Sequence, residues 1–135
     1  MQLRELISEQ GAKFILRFGI GLVWLLFGID KFLAPTNWFG YIPTWFTPVL
    51  QAIGLETTLF IYILAIAEAL IGLALLTGFL TRWVAAVATL MLVPIILSQW
   101  FNEIAIRDIG LFAMSLALWI APETMWSVDG WRKRK

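Results

Sequence analysis

The segment from Trp83 to Phe101 contains no charged residue and consists mostly of apolar side chains. It is about as long as the roughly 20 apolar residues that an α-helix needs to cross the hydrocarbon core of a bilayer. Over the whole chain, 61% of the residues are hydrophobic and only 14% are charged. Soluble domains average about 45–50% apolar and about 25% charged residues. The sequence therefore predicts an integral membrane protein.

Four segments of this kind predict a single all-α domain over residues 1–135, built as a membrane-embedded four-helix bundle. The predicted spans are 14–32, 57–79, 83–101 and 105–121. Pro94 lacks a backbone N–H and predicts a kink in the third span. Only Ile109 to Pro122 is uncharged in the fourth span, so Arg107 and Asp108 must lie at or inside its boundary. The first span lacks the small-residue cleavage site of a signal peptide, which predicts that it is retained.

The composition also excludes several kinds of chemistry. The sequence has no histidine, no cysteine and four methionines. The residues that most often bind zinc, copper, haem and iron–sulfur clusters are therefore missing, as are the residues for a Ser-His-Asp triad or a thiol nucleophile. Any redox centre must then be organic or belong to a partner protein.

The distribution of lysine and arginine predicts the orientation of the bundle. Eight of the ten basic residues fall on the side of the two termini and the turn between spans 2 and 3. These eight are Arg4, Lys13, Arg17, Arg82, Arg132, Lys133, Arg134 and Lys135, against Lys31 and Arg107 on the other side. Under the positive-inside rule this predicts a multi-pass protein of the cytoplasmic membrane with both termini in the cytoplasm. Beside a membrane span, the basic tail indicates topology and not a nucleic-acid partner.

The connection between spans 1 and 2, from Leu33 to Glu56, is long and unusually apolar. Its stretch from Trp38 to Phe46 favours a position in the outer membrane interface, as a lid over the bundle. Thr47-Pro48 has the chemistry of an N-cap followed by proline at the first helical position, so a short helix is predicted to start there and to end near Gly54. A hairpin that merely seals the loop is the alternative.

Glu68 is the one charged residue within the second span. At a rise of about 1.5 Å per residue it lies roughly 16 Å below the outer boundary, near the bilayer centre. An acidic residue there costs about 3 kcal/mol on insertion scales, so it must face the bundle, find a partner or be protonated. Two interpretations stay open, a proton-accepting or ligand-binding carboxylate and a structural hydrogen bond between helices.

Lys31 and Asp108 are predicted to lie at one depth, about one turn below the outer surface, and to form an ion pair. Asp30 and Arg107 lie beside them in sequence. Adjacent residues differ by about 100° around a helix, so only one of each couple can face the bundle axis, and we expect Lys31 and Asp108 to do so. The alternatives are snorkelling for Lys31 and capping of the fourth span for Asp108.

Helical spacing places Trp24, Phe27 and Lys31 on one stripe of the first span. A pocket is predicted where this stripe meets Asp108 and Gln99, with Gln99 as a further hydrogen-bond donor. A flat apolar ring with carbonyl oxygens would suit it, stacking on Trp24. Ordinary helix packing is the alternative for such a stripe.

Arg17 and Arg82 lie toward the inner side of the predicted bundle. For both residues we expect a contact between the end of a helix and phospholipid headgroups.

Several short motifs resemble the DoxX family. They are Arg17 with Gly21, Phe27-Gly28-x-x-Lys31-Phe32, Glu68-x-x-x-Gly72-x-x-Leu75-x-x-Gly78-x-x-Thr81-Arg82 and Arg107-Asp108 before an apolar segment. The resemblance extends from about Phe14 to Ile120, and the order of charges and glycines makes it specific.

The resemblance implies a small four-helix protein of a bacterial or archaeal cytoplasmic membrane. The family is named after a subunit associated with a terminal quinol oxidase, and related DoxD-type proteins form part of thiosulfate:quinone oxidoreductase. The resemblance places the family's polar positions on Arg17, Lys31, Glu68, Arg82 and Asp108. A thiosulfate-oxidising role also needs a second subunit, and nothing in this chain resembles one.

The resulting hypothesis is a subunit that binds a quinone or a similar lipophilic redox molecule beneath the lid, and is at most part of a quinone-linked oxidoreductase. Glu68 and Asp108 would be the catalytic, proton-handling residues. The ligand-binding residues would be Lys31, Trp24, Gln99 and Arg107. No metal is expected, and the expected partners are the lipid bilayer, an oxidoreductase and a second copy of the chain. The alternatives are a non-catalytic scaffold or assembly partner and a small proton-coupled transporter.

Overall fold

The computed structural model describes residues 3–99, 102–122 and 126–135, and every regular element in these ranges is a helix. The elements are α1 (Leu3–Leu33), a 3₁₀ helix (Pro35–Tyr41), α2 (Thr47–Ala52), α3 (Thr57–Thr77), α4 (Thr81–Gln99), α5 (Glu103–Ile120) and α6 (Val128–Arg132). The long helices α1, α3, α4 and α5 correspond to the four predicted spans. The helical prediction is thus confirmed, although α1 begins well before the predicted start of the first span.

Three of these helices, α1, α3 and α4, are long and apolar enough to cross a membrane. Within the described residues, α5 is not apolar enough to count as a candidate span, because three charged residues, Glu103, Arg107 and Asp108, lie in its first two turns. The predicted end of the third span falls on Trp100 and Phe101, which lie outside the described residues. We therefore describe a multi-pass membrane protein with three candidate spans.

Helices α1 and α3 pack against each other at unusually short range because glycines lie at their interface. A Cβ atom on Gly28 would lie 2.6 Å from the backbone nitrogen of Ala69 and 2.7 Å from the carbonyl oxygen of Ala65. On the other helix, a Cβ atom on Gly72 would overlap the backbone nitrogen of Leu25. Small residues allow this backbone approach in membrane helices, where dispersion contacts drive association.

Helices α4 and α5 form a second pair, which meets the first across an apolar core. Buried alanines of α4 face leucines of α5 in this core. The buried residues of the cluster are Ile20, Trp24, Ile71, Leu75, Ala85, Ala88, Leu92, Leu111 and Leu118. The two helix pairs thus enclose one continuous core, open at the end where α1 finishes and α5 begins.

Arg17 corrects one sequence-based expectation. We expected it to contact lipid headgroups, but it is fully buried, with 0% of its surface exposed. Its guanidinium donates hydrogen bonds to the carbonyl oxygens of Leu75 and Leu76 at the end of α3, and to that of Trp126. The last carbonyls of a helix lack partners within the helix, and an arginine can satisfy several of them at once. Arg82, in contrast, is exposed at the start of α4.

The loop between α1 and α3 contains the predicted short helix, with a different cap. Helix α2 begins at Thr47 with Pro48 in its first turn, as expected, but its N-cap residue is Phe46 and no side chain caps it. The helix ends at Ala52, two residues before Gly54, whose φ of 70° is a conformation that glycine adopts readily.

The close approach of α1 and α3 leads to a first prediction. Gly28→Ala should lower the free energy of unfolding by about 1–3 kcal/mol, because the new methyl group meets backbone atoms that cannot turn aside. The change is measured as a lower midpoint of thermal unfolding, followed by circular dichroism in detergent.

Gly19→Ala is the matched control, because a Cβ atom there meets nothing within 4 Å. Alanine forms helices better than glycine by up to about 1 kcal/mol, so this variant should be neutral or slightly more stable. Equal losses of stability in both variants would contradict the proposed contact.

Candidate functional site

The centre of the site is an ion pair between Lys31 of α1 and Glu68 of α3. Lys31 Nζ donates to Glu68 Oε2 over 2.7 Å, and the two side chains are only 7% and 5% exposed. Side chains on a helix lean toward its N-terminus. Because α1 and α3 run in opposite directions, the Lys31 and Glu68 side chains lean toward each other across the interface that the glycines create.

This pair corrects the predicted pairing of Lys31 with Asp108. Lys31 and Asp108 were predicted to share one layer because of their similar depth, but depth does not say which helices are neighbours. The closest neighbour of α1 is α3, so Lys31 reaches Glu68. Asp108 instead accepts a hydrogen bond from Nε of Arg107, the residue beside it, over 2.8 Å.

Of the two pairs of adjacent charged residues, Asp30–Lys31 and Arg107–Asp108, the residues predicted to face the interior do so. Lys31 and Asp108 are buried, whereas Asp30 and Arg107 are exposed.

The buried carboxylates of Glu68 and Asp108 each keep one oxygen without a protein donor. No described residue donates to Oε1 of Glu68 or to Oδ2 of Asp108. These oxygens can accept a proton or a hydrogen bond from another molecule.

The 3₁₀ helix supplies an aromatic residue that sequence reasoning did not assign to the site, Trp38. The Lys31 ammonium lies 3.4 Å from the centre of the Trp38 ring, a distance at which the ring attracts a cation strongly. The ring is held in place by its own Nε1, which donates to Asp30 over 2.8 Å. The apolar Trp38–Phe46 stretch was the signal that this loop covers the bundle, but it did not show which aromatic ring meets the lysine.

Phe27 is a second aromatic contact of the site. The Arg107 guanidinium lies 4.6 Å from the centre of its ring, and the Lys31 ammonium lies 5.4 Å from it. Arg107 thereby reaches from α5 to α1, and Phe27 lies between the two basic groups.

A cavity of about 440 Å³ opens beside the ion pair. All six predicted site residues line it, namely Trp24, Lys31, Glu68, Gln99, Arg107 and Asp108. The remaining wall is mainly apolar, from the loop residues Trp38, Tyr41, Trp45 and Phe46 and from Phe60, Leu64, Met91 and Ile95 of α3 and α4. The predicted residues therefore do converge, and the loop closes over them as a lid.

Gln99 and Trp24 have different roles in this geometry. Gln99 Nε2 donates to the backbone oxygen of Tyr41 over 2.9 Å, which ties the lid to α4. Trp24 is buried, and its indole N–H has no hydrogen-bond partner among the described residues. A buried donor without a partner costs about 1–3 kcal/mol, so the Trp24 indole N–H is an unsatisfied polar group next to the site.

Among the described residues, no group of acidic side chains is arranged to hold a metal ion. The polar groups of the cavity are an ammonium, a guanidinium, carboxylates, an amide and an indole. Such groups bind an organic molecule through hydrogen bonds.

In the comparison with known protein families, the family model named DoxX matches residues 12–101, a range that contains Lys31, Glu68 and the whole loop between α1 and α3. No curated protein and no solved structure matches the chain.

The buried ion pair leads to a second prediction. Lys31→Met should lower the free energy of unfolding by about 3–5 kcal/mol, because it leaves the Glu68 carboxylate buried without its partner. The double variant Lys31→Met/Glu68→Leu should lose less than Lys31→Met alone, since no charge is then stranded. A double-mutant cycle on thermal unfolding measures this coupling.

The exposed pair between Lys13 and Glu9 provides the control. Glu9→Gln should change the free energy of unfolding by no more than about 0.5 kcal/mol. If the effects of the Lys31 and Glu68 substitutions simply added, the two residues would not act as a pair.

Proposed function

The chain belongs to the DoxX family, and on this basis we propose that it is a membrane subunit that binds a quinone or a similar lipophilic redox molecule in the cavity beneath the lid. The observation that carries this proposal is the cavity itself, an apolar space in which a buried Lys31–Glu68 pair and the buried Asp108 meet aromatic rings. The bound molecule accepts electrons and protons at its ring oxygens.

The size and lining of the cavity support a ligand of this class. Sites for small organic molecules measure about 300–1,000 Å³ and are mainly apolar with a few polar groups that fix orientation. At about 440 Å³, this cavity accommodates a substituted ring. Trp24, Phe27 and Trp38 offer flat surfaces on which a ring can stack.

Lys31 is the residue proposed to bind the ligand oxygen. An ammonium group has three N–H donors, and the protein accepts one of them at Glu68. A second donor can reach a carbonyl oxygen in the cavity while the ion pair stays intact. The Arg107 guanidinium is a further donor, from another residue of the cavity lining.

Glu68 and Asp108 are proposed to hold the protons that accompany reduction of the ligand. Each has one carboxylate oxygen without a donor among the described residues, and both line the cavity. Proton transfer needs donor and acceptor within hydrogen-bond reach of each other, which a ligand bound at Lys31 would have relative to Glu68. The electrons are proposed to come from a partner oxidoreductase, since the sequence has no histidine or cysteine to bind a metal.

The proposed topology places α5 as the fourth span, with its charged first turns at the outer interface. Both termini would then lie in the cytoplasm, and the lid would lie on the outer face of the cell membrane. The counting of basic residues supports this orientation, since eight of ten fall at the end opposite the lid.

A scaffold or assembly role is the second candidate, and one observation favours it. Lys31 and Glu68 pair with each other within the protein, as expected of charges that fix the register of α1 on α3. In this case Glu68→Gln would lower thermal stability or recovery of the partner without changing any redox rate. A proton-coupled transporter would instead show proton-dependent uptake in proteoliposomes that Glu68→Gln abolishes.

The leading proposal makes a third prediction. Protein purified from its native membranes should contain quinone that organic extraction and chromatography identify. A soluble decyl-benzoquinone should quench its tryptophan fluorescence, since indole rings line the cavity. Lys31→Met and Glu68→Gln should each weaken this binding at least about tenfold, equivalent to about 1.4 kcal/mol.

Lys13→Met serves as the control, because Lys13 carries the same charge on α1 but does not line the cavity. Circular dichroism confirms that each variant is folded before the titration. Absence of quinone from the extract, together with unchanged affinity in the Lys31 and Glu68 variants, would exclude the proposed function.

A further inference from the structure

A second cavity lies at the opposite end of the bundle, where α3 turns into α4 and the C-terminal segment returns. It measures about 470 Å³ and is lined by Leu80, Arg82, Trp83, Pro122, Asp129, Arg132 and Lys133. We call it the basic groove. It shares no lining residue with the cavity beneath the lid, so it is independent of the function proposed above.

The basic groove is built by specific contacts of the C-terminal segment. The Asp129 carboxylate accepts hydrogen bonds from the backbone N–H groups of Leu80 and Thr81, over 2.9 and 2.7 Å. The Asp129 N–H donates in turn to the carbonyl oxygen of Gly78 over 3.1 Å. The buried Arg17 holds the same segment through the carbonyl oxygen of Trp126. These contacts place α6 beside the start of α4.

This placement concentrates positive charge that the described residues do not neutralise. Arg82 comes from α4, whereas Arg132 and Lys133 come from the end of α6. No described residue forms an ion pair or hydrogen bond with the side chain of any of the three. Asp129 is the only acidic residue among the described residues that line the groove, and both of its oxygens are engaged by backbone N–H groups. The described lining therefore has a net positive charge available to a ligand.

The surroundings of the groove are those of a membrane interface. Trp83 is 69% exposed and Leu80 is 42% exposed, and both line the groove next to the basic residues. Trp131, on α6, is exposed as well. Tryptophan side chains are enriched at headgroup level, where one end of the ring is apolar and the other is wet. A ligand here can place a charged group on the basic residues and an apolar part against Trp83 and the lipid-facing side of α4.

From this combination we propose that the basic groove is a binding site for the headgroup of an anionic phospholipid. Two arginines and a lysine suit a phosphodiester, because guanidinium groups bind phosphate oxygens through paired N–H donors. A second negative or hydrogen-bonding group in the headgroup would use the remaining cation. The exposed Trp83 and Leu80 favour a lipid over a free phosphate, since phosphate alone leaves the apolar wall of the groove uncovered.

The proposal is tested by native mass spectrometry of the full chain in detergent, with phosphatidylglycerol and phosphatidylcholine of identical acyl chains. The wild type should retain phosphatidylglycerol at least about fivefold more strongly. The triple variant Arg82→Gln/Arg132→Gln/Lys133→Gln should lose this preference, and all three positions are exposed, so its fold should be unchanged. Equal retention of both lipids by the wild type would overturn the proposal.

Arg4→Gln is the matched control, because Arg4 is an exposed arginine near the N-terminus that does not line the groove. It should keep the preference for phosphatidylglycerol. Loss of the preference in Arg4→Gln to the same extent as in the triple variant would show general charge attraction and would also overturn the proposal. Displacement of the lipid by millimolar inorganic phosphate would identify a free-phosphate site instead.

Asp129→Ala tests whether lipid binding depends on the geometry of the groove in addition to its charge. This variant keeps all three basic side chains but removes the contacts that hold α6 against the start of α4. The preference for phosphatidylglycerol should fall at least about threefold, even though the net positive charge of the chain rises. An unchanged or stronger preference would show that the charges act without the geometry proposed here.

Discussion

The rest of the structure depends on burying one ion pair between two helices in an apolar bundle. Removing two charges from water costs several kcal/mol for each, and their attraction offsets this cost only when the geometry is good. Here the geometry follows from the backbones of α1 and α3, which Gly28 and Gly72 allow to approach closely. The pair then has one register in which Lys31 Nζ meets Glu68 Oε2, so the charges specify how α1 and α3 pack, and this packing determines where the cavity forms.

The polar groups of the two ends of the bundle serve different purposes. At the end with the lid, charges are buried beside an open volume, where Trp38 contacts Lys31 and Gln99 ties the lid to α4. At the other end, the buried Arg17 and the engaged Asp129 satisfy backbone groups at the junction of α3 and α4. The first arrangement leaves atoms of the buried charges available to a ligand. In the second, Arg17 and Asp129 are used within the fold, and the exposed basic side chains of the groove, Arg82, Arg132 and Lys133, are left for the proposed ligand.

The sequence predicted the helices well because apolar length is a strong signal, and it predicted that Lys31, Glu68 and Asp108 face the interior because isolated charges in apolar segments have few alternatives. It was wrong about the partner of Lys31, since depth along a helix is readable from residue number but the identity of the neighbouring helix is not. It was also wrong about Arg17, because a helix end exposed to headgroups and one covered by a returning segment have the same local sequence. Trp38 was missed because one aromatic residue among several in the loop has no distinguishing pattern.

The charge balance of the cavity beneath the lid supports a neutral ligand over an anionic one. Its lining includes two basic residues, Lys31 and Arg107, and three acidic residues, Asp30, Glu68 and Asp108. With all five ionised, an anion such as thiosulfate would find no net attraction and would compete with Glu68 for the Lys31 ammonium. A neutral molecule with carbonyl oxygens instead accepts a hydrogen bond from Lys31 without separating it from Glu68, and it gains from the apolar and aromatic walls. The proposed quinone-like ring meets these conditions, and the same reasoning supports the anionic headgroup proposed for the basic groove.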